Sequence, residues 1–139
     1  MKKNEAHHQK KVVLFLTDLK LQNKIVDFFA VENENPFSKF ISKNITYKLE
    51  QESKKMGKSK GVSDLVVIGF STIHFIEMKD APRQLKTKLS YSHTKVSEDQ
   101  RRFLENILRC NNCRSVVCYG YEDAKEYIEK NVIGESNGN

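Results

Sequence analysis

The stretch that decides the fold is GVSDLVVIGFSTIHFIEMK, residues 61–79. It contains two apolar runs, residues 64–68 and residues 73–78, which are rich in the β-branched and aromatic residues that favour strands. The four residues between the runs include Gly69 and Ser71, which are typical of a turn. The stretch therefore predicts a β-hairpin.

The hairpin fixes which side chains face each other. A four-residue connection pairs Ile68 with Ile73 and, further along the same ladder, Asp64 with Glu77. Directly opposed residues have Cβ atoms about 5 Å apart. Lys79 lies on the same face as Glu77, because side chains alternate along a strand. A connection longer or shorter by one residue would break this register.

The two opposed carboxylates need a compensating positive charge, because like charges that face each other across a sheet cost stability. Lys79 is one source. A divalent cation is another, since Mg²⁺ is typically bound by one or two carboxylates together with substrate phosphates and waters. The alternative interpretation is that Asp64 and Glu77 are solvated charges at the ends of their strands.

Helices and further strands flank the hairpin. Residues 4–19 have helical spacing, with Asn4 as a candidate N-cap and Glu5 in the first turn. Ser97 caps a helix that runs to about Arg109. The other predicted elements are a strand over residues 25–31, a helix over 37–55, a strand over 115–119 and a helix over 122–131. The order α-β-α-β-β-α-β-α predicts an α/β fold, a mixed sheet with helices on its faces.

Two stretches combine basic residues with a lack of periodicity. Residues 57–61, GKSKG, are a predicted flexible loop before the hairpin, and residues 80–96 are a predicted long loop. Their positive charges could neutralise the phosphates of a nucleic acid, while solvated loops are the alternative interpretation. The candidate DNA-contacting residues are Lys58, Lys60, Arg83, Lys86, Lys88 and Lys95.

The charge distribution favours the same class of partner. The 139-residue chain has 24 lysines and arginines and 18 acidic residues. Residues 97–139 contain 6 of the basic and 8 of the acidic residues. Residues 1–96 therefore carry 18 basic and 10 acidic residues, a net charge of +8. This bias indicates a polyanion, and nucleic acid rather than a membrane surface, because a basic amphipathic interfacial helix is missing. The longest apolar run, residues 12–16, is far shorter than the ~20 residues of a membrane span. No apolar segment follows the first residues as in a signal peptide, so we expect none.

The cysteines indicate the compartment. Their number is three, which cannot all pair within one chain, and this favours a reducing, cytoplasmic environment. Cys110 and Cys113 have the spacing of metal ligands, but a structural zinc site takes four ligands and no histidine follows His93. We therefore expect no zinc.

Three short motifs resemble those of a known family. GVSD at residues 61–64, FIEMK at residues 75–79 and Ser97-x-x-Gln100 at the start of a helix are similar, in order and spacing, to the VRR-NUC family. This family is the virus-type replication-repair branch of the PD-(D/E)XK nucleases, and the resemblance covers most of the chain. The sequence departs from it at Ser63, where the family usually has proline, and in a longer connection after the FIEMK motif.

The resemblance implies a restriction-endonuclease-like fold with a metal site. Asp64 and Glu77 would bind Mg²⁺ or Mn²⁺, helped by the main-chain carbonyl of Met78. Glu5 would reach the same ion directly or through water. The alternative for Glu5 is a first-turn acid that the helix dipole favours.

Two further residues receive roles from the resemblance. Lys79 would orient the attacking water and stabilise the charge that develops on the phosphate. Gln100 would contact the water or Lys79. The alternative for Gln100 is purely structural, because a serine followed three residues later by glutamine forms a capping box.

The function implied is that of a metal-dependent endonuclease that hydrolyses DNA phosphodiester bonds. Structured or branched DNA, such as Holliday junctions, is the expected substrate and a homodimer the expected assembly. The alternatives are a nucleic-acid-binding module that keeps the fold but does not cut, and a nuclease that acts on RNA. We expect one such domain over residues 1–134 and a disordered tail over 135–139, in the cytoplasm of a bacterial or phage-infected cell and without a membrane partner.

Overall fold

The helices and strands follow the predicted order, with two additional short strands between the hairpin and the helix that begins after Ser97. The computed structural model describes residues 3–31, 42–56, 61–84, 91–92 and 95–134. The helices are α1 (Lys3–Leu21), α2 (Lys43–Lys55), α3 (Glu98–Ile107) and α4 (Tyr121–Tyr127), which continues into a π-helical segment (Ile128–Ile133). The strands are β1 (Asp27–Ala30), β2 (Leu65–Ile68), β3 (Ile73–Lys79), β4 (Arg83–Gln84), β5 (Tyr91–Ser92) and β6 (Cys113–Tyr119).

Four of the strands form one mixed sheet in the order β1-β2-β3-β6. The β1–β2 and β2–β3 pairs are antiparallel, whereas β6 runs parallel to β3. Parallel neighbours need a crossover connection, and α3 lies within the one that joins β3 to β6. The predicted α/β fold, with a mixed sheet flanked by helices, is therefore confirmed.

The hairpin of β2 and β3 has the predicted register. Its ladder begins with Ile68 opposite Ile73 and continues to the start of β2. The next position along the same ladder places Asp64, the residue before β2, opposite Glu77 of β3. The sheet therefore brings these two residues together at the end of the hairpin that lies away from the turn.

The two faces of the sheet differ in what covers them. On β3, Ile76 and Met78 point to the side covered by α1 and α4, and Glu77 and Lys79 point to the side of α3. Burial of apolar surface on the first side is the main stabilising contribution to the fold. Its buried members are Val12, Leu16, Leu19, Ile25, Leu65, Val67, Ile76, Met78, Cys118, Ala124, Ile128 and Val132.

On the opposite face, α3 begins with a capping box, as predicted. Gln100 N donates to Ser97 Oγ at 3.1 Å, and Ser97 N donates to the Gln100 side chain at 2.9 Å. Further along α3, Phe103 packs edge-to-face on Phe75, with the ring centroids 5.7 Å apart. This aromatic pair, together with a hydrogen bond of 2.8 Å from Ser115 Oγ to Leu104 O, connects α3 to the sheet.

The prediction of a loop without strands over residues 80–96 is wrong at four positions. Arg83–Gln84 and Tyr91–Ser92 pair as a short antiparallel ladder. Two-residue strands are too short to give an alternating pattern of apolar and polar residues, so periodicity does not detect them. Residues 85–90 and 93–94 lie outside the described residues.

The remaining predicted elements are present with shifted ends. β6 begins at Cys113, two residues before the predicted strand, and the last helix changes to π-helical hydrogen bonding at Ile128. Of the helix predicted over 37–55, the described part is α2, and residues 37–41 lie outside the described residues. Among the described residues, no helix has both the length and the hydrophobicity that crossing a membrane requires.

Candidate active site

Asp64 is held in place by main-chain groups on both sides. Its side-chain Oδ2 accepts a hydrogen bond from Met78 N at 2.9 Å, and its main-chain oxygen accepts one from Val31 N at 2.8 Å. The first bond joins the residue before β2 to β3, and the second joins it to the residue after β1. The main chain of Met78 therefore orients the carboxylate, and the main chain of Val31 holds the backbone of Asp64.

Glu77 lies beside Asp64 in a nearly dry environment. It is 2% exposed, and the Asp64 carboxyl group is its charged neighbour. Burial, followed by the charge of Asp64, raises the pKa of Glu77 to about 8. Burial also raises the pKa of Asp64, in spite of the hydrogen bond from Met78 N. Without a cation, burial and the neighbouring negative charge therefore disfavour the state in which both carboxyl groups are ionised.

Lys79 and Gln100 join the acidic pair through a short chain of hydrogen bonds. Lys79 is 7% exposed, and its Nζ donates to Gln100 Oε1 at 3.0 Å and lies 3.8 Å from Glu77 Oε1. Gln100 Nε2 donates to the same Glu77 oxygen at 2.5 Å. The other Gln100 interaction is the capping bond from Ser97 N. The two interpretations of Gln100 therefore do not exclude each other, since one amide makes both the cap and the contacts in the site.

Gly61 brings the segment before Asp64 against the start of α3. A Cβ atom at this position would lie 2.4 Å from the main-chain carbon of Asp99 and 2.7 Å from Gln100 N, and the φ angle is +78°. Both the space and the backbone conformation require glycine here. The sequence showed Gly61 only as part of a motif, and no local pattern predicts which helix it contacts.

Glu5, in the first turn of α1, is a charged neighbour of the acidic pair. It is 8% exposed, and its charge raises the pKa of both Asp64 and Glu77. In the described part of the chain, no three His, Cys, Asp or Glu side chains are grouped closely enough to hold a metal ion by themselves. Glu5 is thus an electrostatic neighbour of the pair and not a third member of one compact ligand group.

The side chains at this site fit a small divalent cation. Glu77 Oε2 is buried and has no hydrogen-bond partner among the described residues, and a cation would satisfy it. The N–H and C=O of one strand residue point to the same side, so we expect the Met78 carbonyl to face Asp64 as its N–H does. Two carboxylates and one carbonyl are hard oxygen ligands, and Mg²⁺ completes its shell with waters and phosphates.

The candidate DNA-contacting residues are mostly not located. Lys58, Lys60, Lys86 and Lys88 lie outside the described residues, and Arg83 is described only as the start of β4. Lys95 is exposed, two residues before Ser97. Its ammonium is therefore on the surface next to the helix that carries Gln100.

The three cysteines are free thiols that lie in different surroundings. Cys110 is exposed, Cys113 is half-buried at the start of β6, and Cys118 belongs to the core. A hydrogen bond from the Cys113 thiol lowers the pKa of Cys110, whereas burial raises the pKa of Cys118 to about 12. Cys118 thus differs from the other two cysteines because it is buried in the apolar core.

The mixed sheet, with an acidic pair and an adjacent lysine at one end of its hairpin, has the arrangement that the resemblance to the PD-(D/E)XK nucleases led us to expect. Residues 3–122 match the VRR-NUC domain, so the chain belongs to the VRR-NUC family, whose fold is PD-(D/E)XK-like. No match was found among curated proteins or among solved structures. The family gives the chain a nuclease-type function, and nuclease domains of this kind generally use a divalent metal ion.

Proposed function

We propose that this protein is an endonuclease that hydrolyses phosphodiester bonds in DNA with Mg²⁺ or Mn²⁺ at the Asp64–Glu77 pair. The observation that carries the proposal is the buried pair itself, which has raised pKa values and one unpartnered carboxylate oxygen beside an ordered lysine and glutamine. Burying such groups costs free energy unless a ligand compensates for it. A cation is the ligand that these donor atoms fit.

Asp64, Glu77 and the Met78 carbonyl would hold the metal ion, with Glu5 reaching it through water. When bound, the ion supplies Lewis acidity toward a phosphate oxygen and lowers the pKa of water. The hydrogen bond from Met78 N keeps Asp64 oriented toward the site, and strands on both sides limit its motion. Rigid placement of this kind supplies the in-line geometry that hydrolysis needs.

Lys79 would act on the phosphate and on the attacking water. An ammonium group has three N–H donors, and one of those of Lys79 donates to Gln100 Oε1. The amide holds Nζ at a fixed place near Glu77, which leaves donors for the developing negative charge on the phosphate. Gln100 is thus a positioning residue for Lys79 in this mechanism.

The DNA would approach along the basic part of the chain. The net charge of +8 over residues 1–96 and the exposed Lys95 support contacts with phosphates. We assign these contacts to Lys58, Lys60, Arg83, Lys86, Lys88 and Lys95. We place the nuclease domain at residues 1–134 and the protein in the cytoplasm.

Branched DNA, such as a four-way junction, is the substrate that we propose, cut by a homodimer. Strand β1 is at the edge of the sheet, and several large apolar side chains on α1 and near β1 are exposed, which supports an interface between two copies. Two-fold symmetry would set two sites on one junction. The exposed residues are Leu14, Leu21, Val26 and Phe29.

The decisive experiment is a cleavage assay on a four-way DNA junction labelled on each strand, with Mg²⁺, with Mn²⁺ and with EDTA. We expect wild type to cut only with a metal ion. Asp64→Asn and Lys79→Met should cut slower by about 10²–10³-fold or more, the usual loss when a group that stabilises transition-state charge is removed. Linear duplex and an RNA junction of the same sequence show which substrate is preferred.

Two matched variants control for the loss of a charge. Glu126→Gln and Lys130→Met change exposed residues of α4 and of the π-helical segment that follows it, and should cut at the wild-type rate. A wild-type protein that binds the junction but cuts nothing with either ion would overturn the enzyme proposal in favour of a binding module. Preferred cutting of the RNA junction would overturn the assignment to DNA, and a monomeric mass on the junction would overturn the dimer.

A further inference from the structure

The residue that follows Lys79 joins the end of β3 to the start of α1. Asp80 Oδ2 accepts a hydrogen bond from Asn4 Nδ2 at 3.2 Å, and Asp80 Oδ1 lies 3.5 Å from His8 Nε2. Ala81 N also donates to Oδ1, at 2.8 Å, and this bond fixes the orientation of the Asp80 carboxylate. A single side chain thus contacts two residues on consecutive turns of α1.

His8 is itself oriented by a second element. Its Nδ1 accepts a hydrogen bond from Tyr121 N at 3.0 Å, at the start of α4. A neutral ring that accepts at Nδ1 carries its proton at Nε2, which is the atom that faces Asp80. Asn4, His8 and Asp80 therefore form a connected group, which we call the α1 clip.

Gly120 allows the three segments of the clip to meet. Its φ angle is +93°, and a Cβ atom there would lie 3.1 Å from Ala81 Cβ and 3.5 Å from His8 Cε1. In addition, Gly120 N donates to Lys79 O at 2.9 Å. Because Gly120 has no side chain, the turn after β6 can pack directly against the end of β3 and against the first turns of α1.

Glu5 lies between the two α1 residues that Asp80 contacts. The first turn of a helix lacks half of its main-chain hydrogen bonds and tends to fray, so its side chains move unless something holds it. Glu5 is nevertheless buried and close enough to affect both Asp64 and Glu77 electrostatically. Asp80 contributes polar contacts that hold this turn against the end of β3.

We propose that Asp80 is a positioning residue, which fastens the first turn of α1 to the end of β3 and so holds Glu5 beside the Asp64–Glu77 pair for metal binding. This inference rests on the proposed metal-dependent function and deepens it. Asp80 itself does not touch the ion or the substrate. Its effect on the site passes through Asn4 and His8 to the placement of Glu5.

The test measures Mn²⁺ binding by calorimetry in wild type, Asp80→Ala, Glu5→Gln and the double variant. We expect Asp80→Ala to weaken binding about 10-fold, the usual lower limit for the loss of a residue that orients a metal ligand. Glu5→Gln should weaken it to a similar degree, and the double variant should bind no more weakly than either one. Such non-additivity is expected only if Asp80 acts through Glu5.

A second readout needs no metal. Hydrogen exchange of the main-chain amides in the first turns of α1 should be faster in Asp80→Ala than in wild type. Asp80→Asn, which keeps one side-chain oxygen as an acceptor, should restore part of the affinity for Mn²⁺. Asn4→Ala removes one exposed contact of the clip and should act in the same direction, which keeps the test open if Asp80→Ala folds poorly.

Asp18→Ala is the matched control, because it removes an exposed carboxylate of α1 outside the clip and should leave Mn²⁺ binding unchanged. Wild-type affinity in Asp80→Ala, or additive losses in the double variant, would overturn the role of Asp80 while leaving the proposed function intact. A wild-type protein that binds no Mn²⁺ would instead overturn the metal-dependent reaction, and the role of Glu5 with it.

Discussion

The two faces of the central sheet are built on different physical grounds. The face toward α1 and α4 is a continuous apolar core, to which α1, the sheet, α4 and the π-helical segment all contribute. The face toward α3 has Glu77 and Lys79 buried near its edge, and α3 has no fully buried residue. Apolar burial on one face therefore stabilises the fold, whereas the buried charged groups on the other face lower its stability.

This comparison shows why neighbouring residues of one strand can do unrelated work. Ile76 and Glu77 are adjacent on β3 and are both buried, but they point to opposite faces. Loss of the apolar group should lower the free energy of unfolding, whereas loss of the charge should raise it in metal-free protein. The predictions below separate these contributions.

The largest expected change in stability is on the apolar face. Ile76→Ala removes a fully buried side chain and should lower the free energy of unfolding by about 2–5 kcal/mol, because the lost transfer energy and the cavity add. Urea unfolding followed by circular dichroism measures the change. Met56→Ala, at an exposed position after α2, should change stability by no more than about 0.5 kcal/mol. Equal losses in the two variants would contradict the assignment of this face as the core.

A smaller change of opposite sign is expected on the charged face. Glu77→Gln should stabilise the metal-free protein above pH 8, by about 1–3 kcal/mol, since it removes a charge that is costly to bury. Between the ordinary pKa of a glutamate, 4.5, and the folded-state pKa of about 8, the folded protein binds more protons than the unfolded chain. Wild-type stability should therefore be highest below this range and fall as pH rises through it.

Thermal unfolding in EDTA between pH 5 and pH 9 checks this pH dependence. The Glu77→Gln profile should be flatter than that of wild type, because residue 77 no longer titrates. Adding Mn²⁺ at high pH should raise the unfolding temperature of wild type more than that of the variant. Parallel pH profiles for the two proteins would show that the charge of Glu77 is not what destabilises this face.

The smallest expected change in stability concerns the start of α3. Ser97→Ala removes the side-chain cap and should cost about 1 kcal/mol, while it leaves the main-chain N–H that contacts Gln100. Gln100→Ala should cost a similar amount of stability but also lower the rate of DNA cleavage by about 10²-fold, because Lys79 loses its fixed position. Equal cleavage rates in the two variants would show that Gln100 acts only as part of the capping box.

Local patterns in the sequence were sufficient for the hairpin and its register. The turn residues, the two apolar runs and the alternation of side chains place Asp64 and Glu77 together without any knowledge of the tertiary fold. The capping box at Ser97 is also local and could be predicted. The roles of individual site residues came only from the resemblance to a family, and they stay proposals.

The contacts between distant segments could not be predicted from the sequence. The close approach of Gly61 to α3 and the contacts of Asp80 with α1 depend on how helices dock on the sheet. No periodicity encodes such docking, and a single polar residue after a strand has many possible partners. The same limit explains the dual contacts of Gln100, whose capping motif is visible while its second set of partners is not.

The close approach of Gly61 to Asp99 has a consequence for the order of folding. The hairpin joins residues that are near in sequence and can form early, whereas the approach of Gly61 to α3 closes a long loop and carries a larger entropic cost. Gln100 meets Glu77 and Lys79 only once α3 has docked. We expect the contacts of α3 with the acidic pair to form last and to open first, so substitutions of Gly61 and Gln100 should act mainly on the rate of unfolding.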